Sequence, residues 1–246
     1  MNDTTRTYLI LGGAGAIGSS VARRLSDAGH HVVLGGRTEE PLNELAEEIG
    51  GTPFQLDARD FDQVAKAVDR AKELGEFSGA MNAVGSIELR PAAATSRETF
   101  DAVIETNLAT AFALVRSAGA ALARGSGGSL VLMSSAAGSI GLPNHEVIAA
   151  AKGGVEGLTR AAAASLAKRG VRVNALAPGL VDTPLAERIT SNEKALEASV
   201  SMHPLGRIGT PDEVASLAAW LLMDEASWVT GAILPMDGGM GQIRTG

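Results

Sequence analysis

The chain has no cysteine among its 246 residues. That excludes a disulfide framework, a thiolate nucleophile and a thiolate metal site, and it suits a reducing compartment. Aromatic residues make up 3% of the sequence, and the single tyrosine, Tyr8, lies near its start. No apolar run approaches membrane-spanning length, and the first strand is expected from about Thr7, which leaves no room for a charged segment followed by an apolar signal core. Positive charge is in deficit as well: 21 Lys and Arg against 28 Asp and Glu give a formal net charge of -7. Nucleic acid is therefore not an expected partner, because a phosphate-binding surface needs clustered basic residues. No pair of histidines or carboxylates has metal-ligand spacing. These absences lead to the expectation of a soluble, cytoplasmic protein.

The hydrophobic content of 45% is enough for one sizeable core, so a single domain over residues 1–246 is expected. Short apolar or β-branched runs (TYLIL at 7–11, HVVL at 31–34, AMNAV at 80–84, SLVLM at 129–133, VRVNALA at 171–177, AILP at 232–235) alternate with longer segments whose apolar residues recur every three or four positions. Such alternation predicts an α/β fold: a doubly wound, mostly parallel sheet of about seven strands with helices on both faces. One long connection without a strand, about 184–210, carries Pro184, His203 and Pro204 and is a candidate substrate lid.

GGAGAIG at 12–18 follows the first strand and opens a helix. In that setting glycines let the backbone approach a pyrophosphate held by helix N–H groups, with Gly12, Gly15 and Gly18 as contacts; a tight strand-to-helix turn alone explains the same residues. After the second strand the chain reads Leu34-Gly35-Gly36-Arg37, without the acidic residue that binds the ribose of NAD. A guanidinium at Arg37 pairs with a 2′-phosphate, so NADP(H) is expected over NAD(H), unless Arg37 is simply a solvated charge. Glu39 and Glu40 are alternative ribose ligands, but their place at a helix start fits better with complementing its positive end.

Together these segments resemble the short-chain dehydrogenase/reductase superfamily, a Rossmann-type fold, almost from end to end. DARD at 57–60 resembles its adenine-contacting Asp, here Asp57 with Ala58; structurally, Asp57 could hold a turn and Asp60 an N-cap. NAVG at 82–85 resembles its Asn-rich turn, with Asn82 and Gly85, and Asn107 matches its helix-interrupting asparagine. SSAAGSIGLP at 134–143 places Ser135 in the catalytic position. Lys152 matches the lysine that holds the nicotinamide ribose, and PGLVDT at 178–183 resembles the loop in which Pro178, Gly179 and Thr183 meet the nicotinamide; Ile17 in the glycine turn is implied as a cofactor contact too. PLGRIGTPDEVA at 204–215 and LPMDGGM near the end add to the likeness.

The resemblance also predicts a tyrosine thirteen residues after Ser135 and four before Lys152. Position 148 is isoleucine. Isoleucine has no proton to donate, and loss of a positioned general acid costs about 10²- to 10⁴-fold in rate. Tyr8 cannot substitute, because it lies three residues before Leu11, roughly 10 Å below the carboxyl edge of the sheet. His145, seven residues before Lys152 in PNHEVIAAAK, resembles the placement of the active-site Tyr in the enoyl-thioester reductase branch, and two helical turns put it on the face of Lys152. It is either a substitute acid or a half-exposed histidine at a helix start capped by Asn144. His30 and His31 read as structural; His203 either faces substrate or forms a turn with Pro204.

The resemblance implies two classes of function. One is an NADP(H)-dependent oxidoreductase using Asn107, Ser135, His145 and Lys152 to reduce an activated C=C or C=O of a small apolar substrate. The other is an inactive NADP(H)-binding sensor or scaffold. A homotetramer or dimer is implied in either case; AAAASLA at 161–167 resembles the inter-subunit helices, although a well-packed monomer predicts it equally.

Overall fold

A computed structural model describes residues 5–244. Seven parallel strands form one sheet in the order β3-β2-β1-β4-β5-β6-β7: β1 Arg6–Leu11, β2 His31–Gly36, β3 Thr52–Gln55, β4 Glu76–Asn82, β5 Gly128–Met133, β6 Val171–Pro178 and β7 Ile233–Met236. Six of these correspond to the apolar runs in the sequence. β3 has no such run, because it pairs only with β2 and is half exposed, an edge position that tolerates Pro53. β4 is displaced from the expected 80–84: it starts at Glu76 and ends at Asn82, leaving Ala83 and Val84 to the turn.

Alternation along β1 splits the core. Leu9 and Leu11 face one layer with Val64 and Ala67 of α3 (Phe61–Glu73, following α1 Ala16–Asp27 and α2 Glu39–Ile49) and Val155. Tyr8 and Ile10 face the other, with Leu25 of α1, Leu42 of α2 and Val214. Tyr8 is fully buried there, tilted against His30 at 5.3 Å between ring centroids, and His31 meets Thr52 Oγ1 at 3.0 Å, so the early aromatic and both neighbouring histidines are structural.

The long helical pattern after Ser96 folds as a nearly continuous rod: α4 Arg97–Ile104, α5 Thr110–Leu114 and α6 Ala120–Arg124, joined by π-helical turns at Glu105–Ala109 and Val115–Gly119. Asn107 lies in the first π turn. Beyond β5 come α7 Ala136–Ser139 and α8 Glu146–Leu166; α8 starts six residues earlier than its KGGVEGL pattern and so includes Ile148 as well as Lys152. The strandless 184–210 connection contains α9 Glu187–Thr190 and α10 Glu193–Met202. It leads into α11 Pro211–Leu222, which a capping box between Thr210 and Glu213 starts. No helix among the described residues is long and apolar enough to cross a membrane.

Strand order reverses between β1 and β4, and the cleft at their carboxyl ends is where such sheets bind ligands. Asn82 closes β4 at this point: its Nδ2 donates to Thr110 Oγ1 at 3.0 Å and its Oδ1 accepts from Val84 N at 3.1 Å, all largely out of water. Asn82→Ala leaves both partners short of a bond, and urea unfolding is expected to show a loss of about 1–3 kcal/mol.

Candidate functional site

A cleft of about 690 Å³ opens over the carboxyl ends of β1, β2 and β4. Its floor is the turn from Gly12 to Gly18. Gly12 and Gly13 both donate backbone N–H groups to Gly35 O, at 2.8 and 3.0 Å, which folds the turn tightly against β2. Gly12 has φ +76°, and a Cβ on it would stand 3.0 Å from Ala83 C; a Cβ on Gly18 would collide with Gly12 O. The sequence therefore buys a close approach of α1 to the turn. The first N–H groups of α1 have no acceptor inside the helix, and Gly15, Ala16, Ile17 and Gly18 line the cleft. A pyrophosphate matches this donor set.

Arg37 lines the cleft just past β2, and Asp57 and Ala58 line it too. A residue the sequence reading passed over joins them. Arg59 lines the same wall and grips Asp57, its Nη2 at 2.6 Å from Oδ2 and its Nε at 3.1 Å from both oxygens. The pair pulls the Asp57 carboxyl down to about 2. Asp57 thus both holds its turn, accepting from Arg59 N at 3.0 Å, and borders the cleft, while Asp60 is an N-cap for α3, as its spacing predicts. The only sequence signal for Arg59 was its place between those two carboxylates.

At the inner end, Gly85 links the cleft to the candidate catalytic groups. A Cβ on Gly85 would lie 3.1 Å from Asn107 Oδ1 and 3.6 Å from Lys152 Nζ, so both polar groups border this glycine. Asn107 accepts from Ser86 N at 3.1 Å and donates to Ser86 Oγ at 2.9 Å and Val103 O at 3.0 Å. Lys152 is buried and donates to Met133 O at 2.8 Å; burial pushes its ammonium down from 10.5 to about 8. Ser135 caps α7, accepting from Ala137 N at 3.2 Å and reaching Pro178 O at 3.5 Å. Glu156, another residue the sequence reading missed, secures this serine segment to α8. Its buried carboxylate accepts from Ser139 Oγ at 2.6 Å and Ser134 Oγ at 3.1 Å. Its four-residue spacing from Lys152 was the available clue.

Ile148 is buried with Val103, Val147 and Ala151 and so contributes an apolar surface one turn before Lys152. His145 occupies the N-cap position of α8, and no hydrogen bond joins it to Ser135 or Lys152 among the described residues. Its Nδ1 lies 2.8 Å from Pro143 O, an acceptor, so the Nδ1 carries the proton and neutral Nε2 can only accept. His145 can donate to a substrate oxygen from Nε2 only as imidazolium. Asn144 does not cap the helix; at φ 61° it is the turn residue before it, with its carbonyl accepting from Arg90 N at 2.7 Å.

Of the expected cofactor contacts, Gly12, Gly15, Ile17, Gly18, Arg37, Asp57, Ala58, Gly85 and Thr183 line the cleft, whereas Asn82, Lys152, Pro178 and Gly179 do not. Asn82 is committed to Thr110, and Gly179 packs against His203. His203 does not line this cleft. It is buried and bonded to backbone on both sides.

Residues 12–241 match the family model described as enoyl-(acyl carrier protein) reductase. FabG of Thermotoga maritima, a 3-oxoacyl-[acyl-carrier-protein] reductase, is 35% identical over 241 residues, 96% of this chain and 97% of that protein. The chain belongs to the short-chain dehydrogenase/reductase superfamily. A solved member of the superfamily, from Mycobacterium ulcerans, shares the fold with a TM-score of 0.93 at 31% identity, covering 98% of this chain and 91% of that one. ElxO with NADP bound gives a TM-score of 0.89 at 29% identity, covering 96% of this chain and 98% of that one.

Burial of Lys152 has a pH signature. From about 8 to 10.5 the unfolded chain holds a proton that the folded protein has released. Stability from this group is therefore lowest below pH 8 and rises with pH across that window. Lys152→Met is expected to raise the urea midpoint at pH 7 and to abolish the rise, read by circular dichroism in parallel titrations.

Proposed function

We propose that this protein is an NADP(H)-dependent oxidoreductase that transfers hydride to an activated C=C or C=O of a small apolar substrate. The observation that supports the proposal is the cleft itself: donors for a pyrophosphate and the Arg37 guanidinium line it, and so does Gly85, which both Asn107 and Lys152 border. Bound there, the nicotinamide cofactor supplies the hydride. Gly12, Gly15, Ile17 and Gly18 hold its phosphates, and Arg37 meets the 2′-phosphate, with Asp57 and Ala58 at the adenine. Gly85, Lys152 and Thr183 border its nicotinamide half, with Asn82, Pro178 and Gly179 shaping the turns behind it. The NADP carried by a structural neighbour supports the cofactor choice over NAD(H).

In this reading Ser135 donates a hydrogen bond to the substrate oxygen and imidazolium His145 assists it. The superfamily resemblance puts a tyrosine where Ile148 stands, so a reaction in which oxygen needs stabilisation more than full protonation is favoured, and C=C reduction is preferred to C=O reduction. The apolar residues of the 184–210 segment, Leu185 at the cleft mouth among them, suit an apolar substrate. A homotetramer or dimer in the cytoplasm completes the proposal.

The burial of Ile148 in an apolar cluster favours a second reading, an NADP(H)-binding sensor or scaffold without turnover. Steady-state NADPH oxidation with enoyl thioesters, enones and ketones separates the two: turnover is expected, greatest with the enoyl compounds, and complete inertness with tight NADPH binding selects the sensor. His145→Ala is expected to lower that turnover by about 10²- to 10⁴-fold, and an unchanged rate removes His145 from the mechanism. By calorimetry, Arg37→Ala is expected to weaken NADPH by about tenfold or more and NADH by little; equal losses overturn the 2′-phosphate assignment.

A further inference from the structure

His203 ends α10 inside the protein, 3% exposed. Its Nδ1 lies 2.6 Å from Ser199 O, so the proton sits on Nδ1, and its Nε2 accepts the Leu180 N–H at 3.2 Å. One imidazole thus connects the last turn of α10 to the backbone of the 178–183 loop. The loop leaves room for it: a Cβ on Gly179 would collide with His203 Nε2, and glycine alone permits the approach. Neighbouring amides of the loop are held from other directions, Gly179 N by Met236 O at 3.1 Å and Asp182 N by Gly209 O at 2.9 Å, while Gly209 N donates to Leu180 O at 2.9 Å. Among the described residues His203 supplies the one side-chain hydrogen bond to Leu180, three residues before Thr183 enters the cleft.

We propose that His203 is a positioning residue for the nicotinamide half of the cofactor, acting through the Leu180 amide to set where Thr183 stands. This rests on the cofactor reading above, in which the 178–183 loop serves the nicotinamide end. The adenylate end lies across the cleft, at Arg37 and Asp57, and shares no hydrogen bond with His203. A local loosening of the loop therefore acts on one half of the ligand. A general loss of structure acts on both.

The test compares dissociation constants of NADPH and of 2′,5′-ADP, which keeps the 2′-phosphate and lacks the nicotinamide. His203→Phe keeps a ring and removes the acceptor. It is expected to weaken NADPH about tenfold and to leave 2′,5′-ADP within about twofold, as loss of one buried hydrogen bond predicts. His203→Gln restores an acceptor for Leu180 N–H and recovers part of the NADPH affinity. Gly179→Ala, which displaces the imidazole while keeping it in the chain, reproduces the His203→Phe pattern and carries the test if His203→Phe does not fold. Equal weakening of both ligands, or no change in either, overturns the proposal. Wild-type protein that binds neither ligand overturns the cofactor reading, and this inference with it.

Discussion

A positive charge held out of water at the inner end of the cleft sets the terms for what surrounds it. The Lys152 ammonium is buried and donates to Met133 O, the last residue of β5, so the helix that carries it is tied to the sheet beside Ser135. Burial disfavours the charged form and lowers its pKa to about 8. The surrounding polar contacts share this pattern: Glu156 binds Ser134 and Ser139 on either side of Ser135, and Asn107 is turned toward Gly85 by a π-helical turn. Pairing of this kind limits the cost of buried polar atoms and leaves little freedom in their placement.

The two ends of the cleft obey different physics. The outer end attracts anions through unpaired helix N–H groups and the guanidiniums of Arg37 and Arg59, with Asp57 already neutralised by its arginine partner. Behind Gly85 lies the buried Lys152 ammonium, and one helical turn before it Ile148 is buried with Val103 and Ala151. A dinucleotide with a charged and a flat end suits that division. The loop that closes the inner end is anchored by backbone contacts and by His203, far from the charged wall.

Much of the architecture was legible because it follows from local rules. Short, nearly continuous apolar runs mark β1, β2, β5 and β6, and Asp60 announces the start of α3 by capping it. β3 escaped because an edge strand of four residues with Pro53 has neither length nor periodicity. Arg59 and Glu156 escaped for another reason: each is one charge among many in the sequence, and only contact with Asp57 or with Ser134 and Ser139 distinguishes it. His203 was ambiguous for the same reason, since neither Leu180 nor Ser199 is implied by its neighbours in the chain.

By itself the sequence determined the parallel α/β order, the glycine turn before α1, the absence of cysteine and any second tyrosine, and the isoleucine four residues before Lys152. These depend on residue type and spacing, which chemistry constrains along the chain. Only the tertiary structure decided that Lys152 and Asn107 both border Gly85, that Ile148 is buried in an apolar cluster, and that His203 serves the backbone. Burial and pairing depend on which distant segments pack together, and residues more than twenty positions apart carry no mark of that in their order.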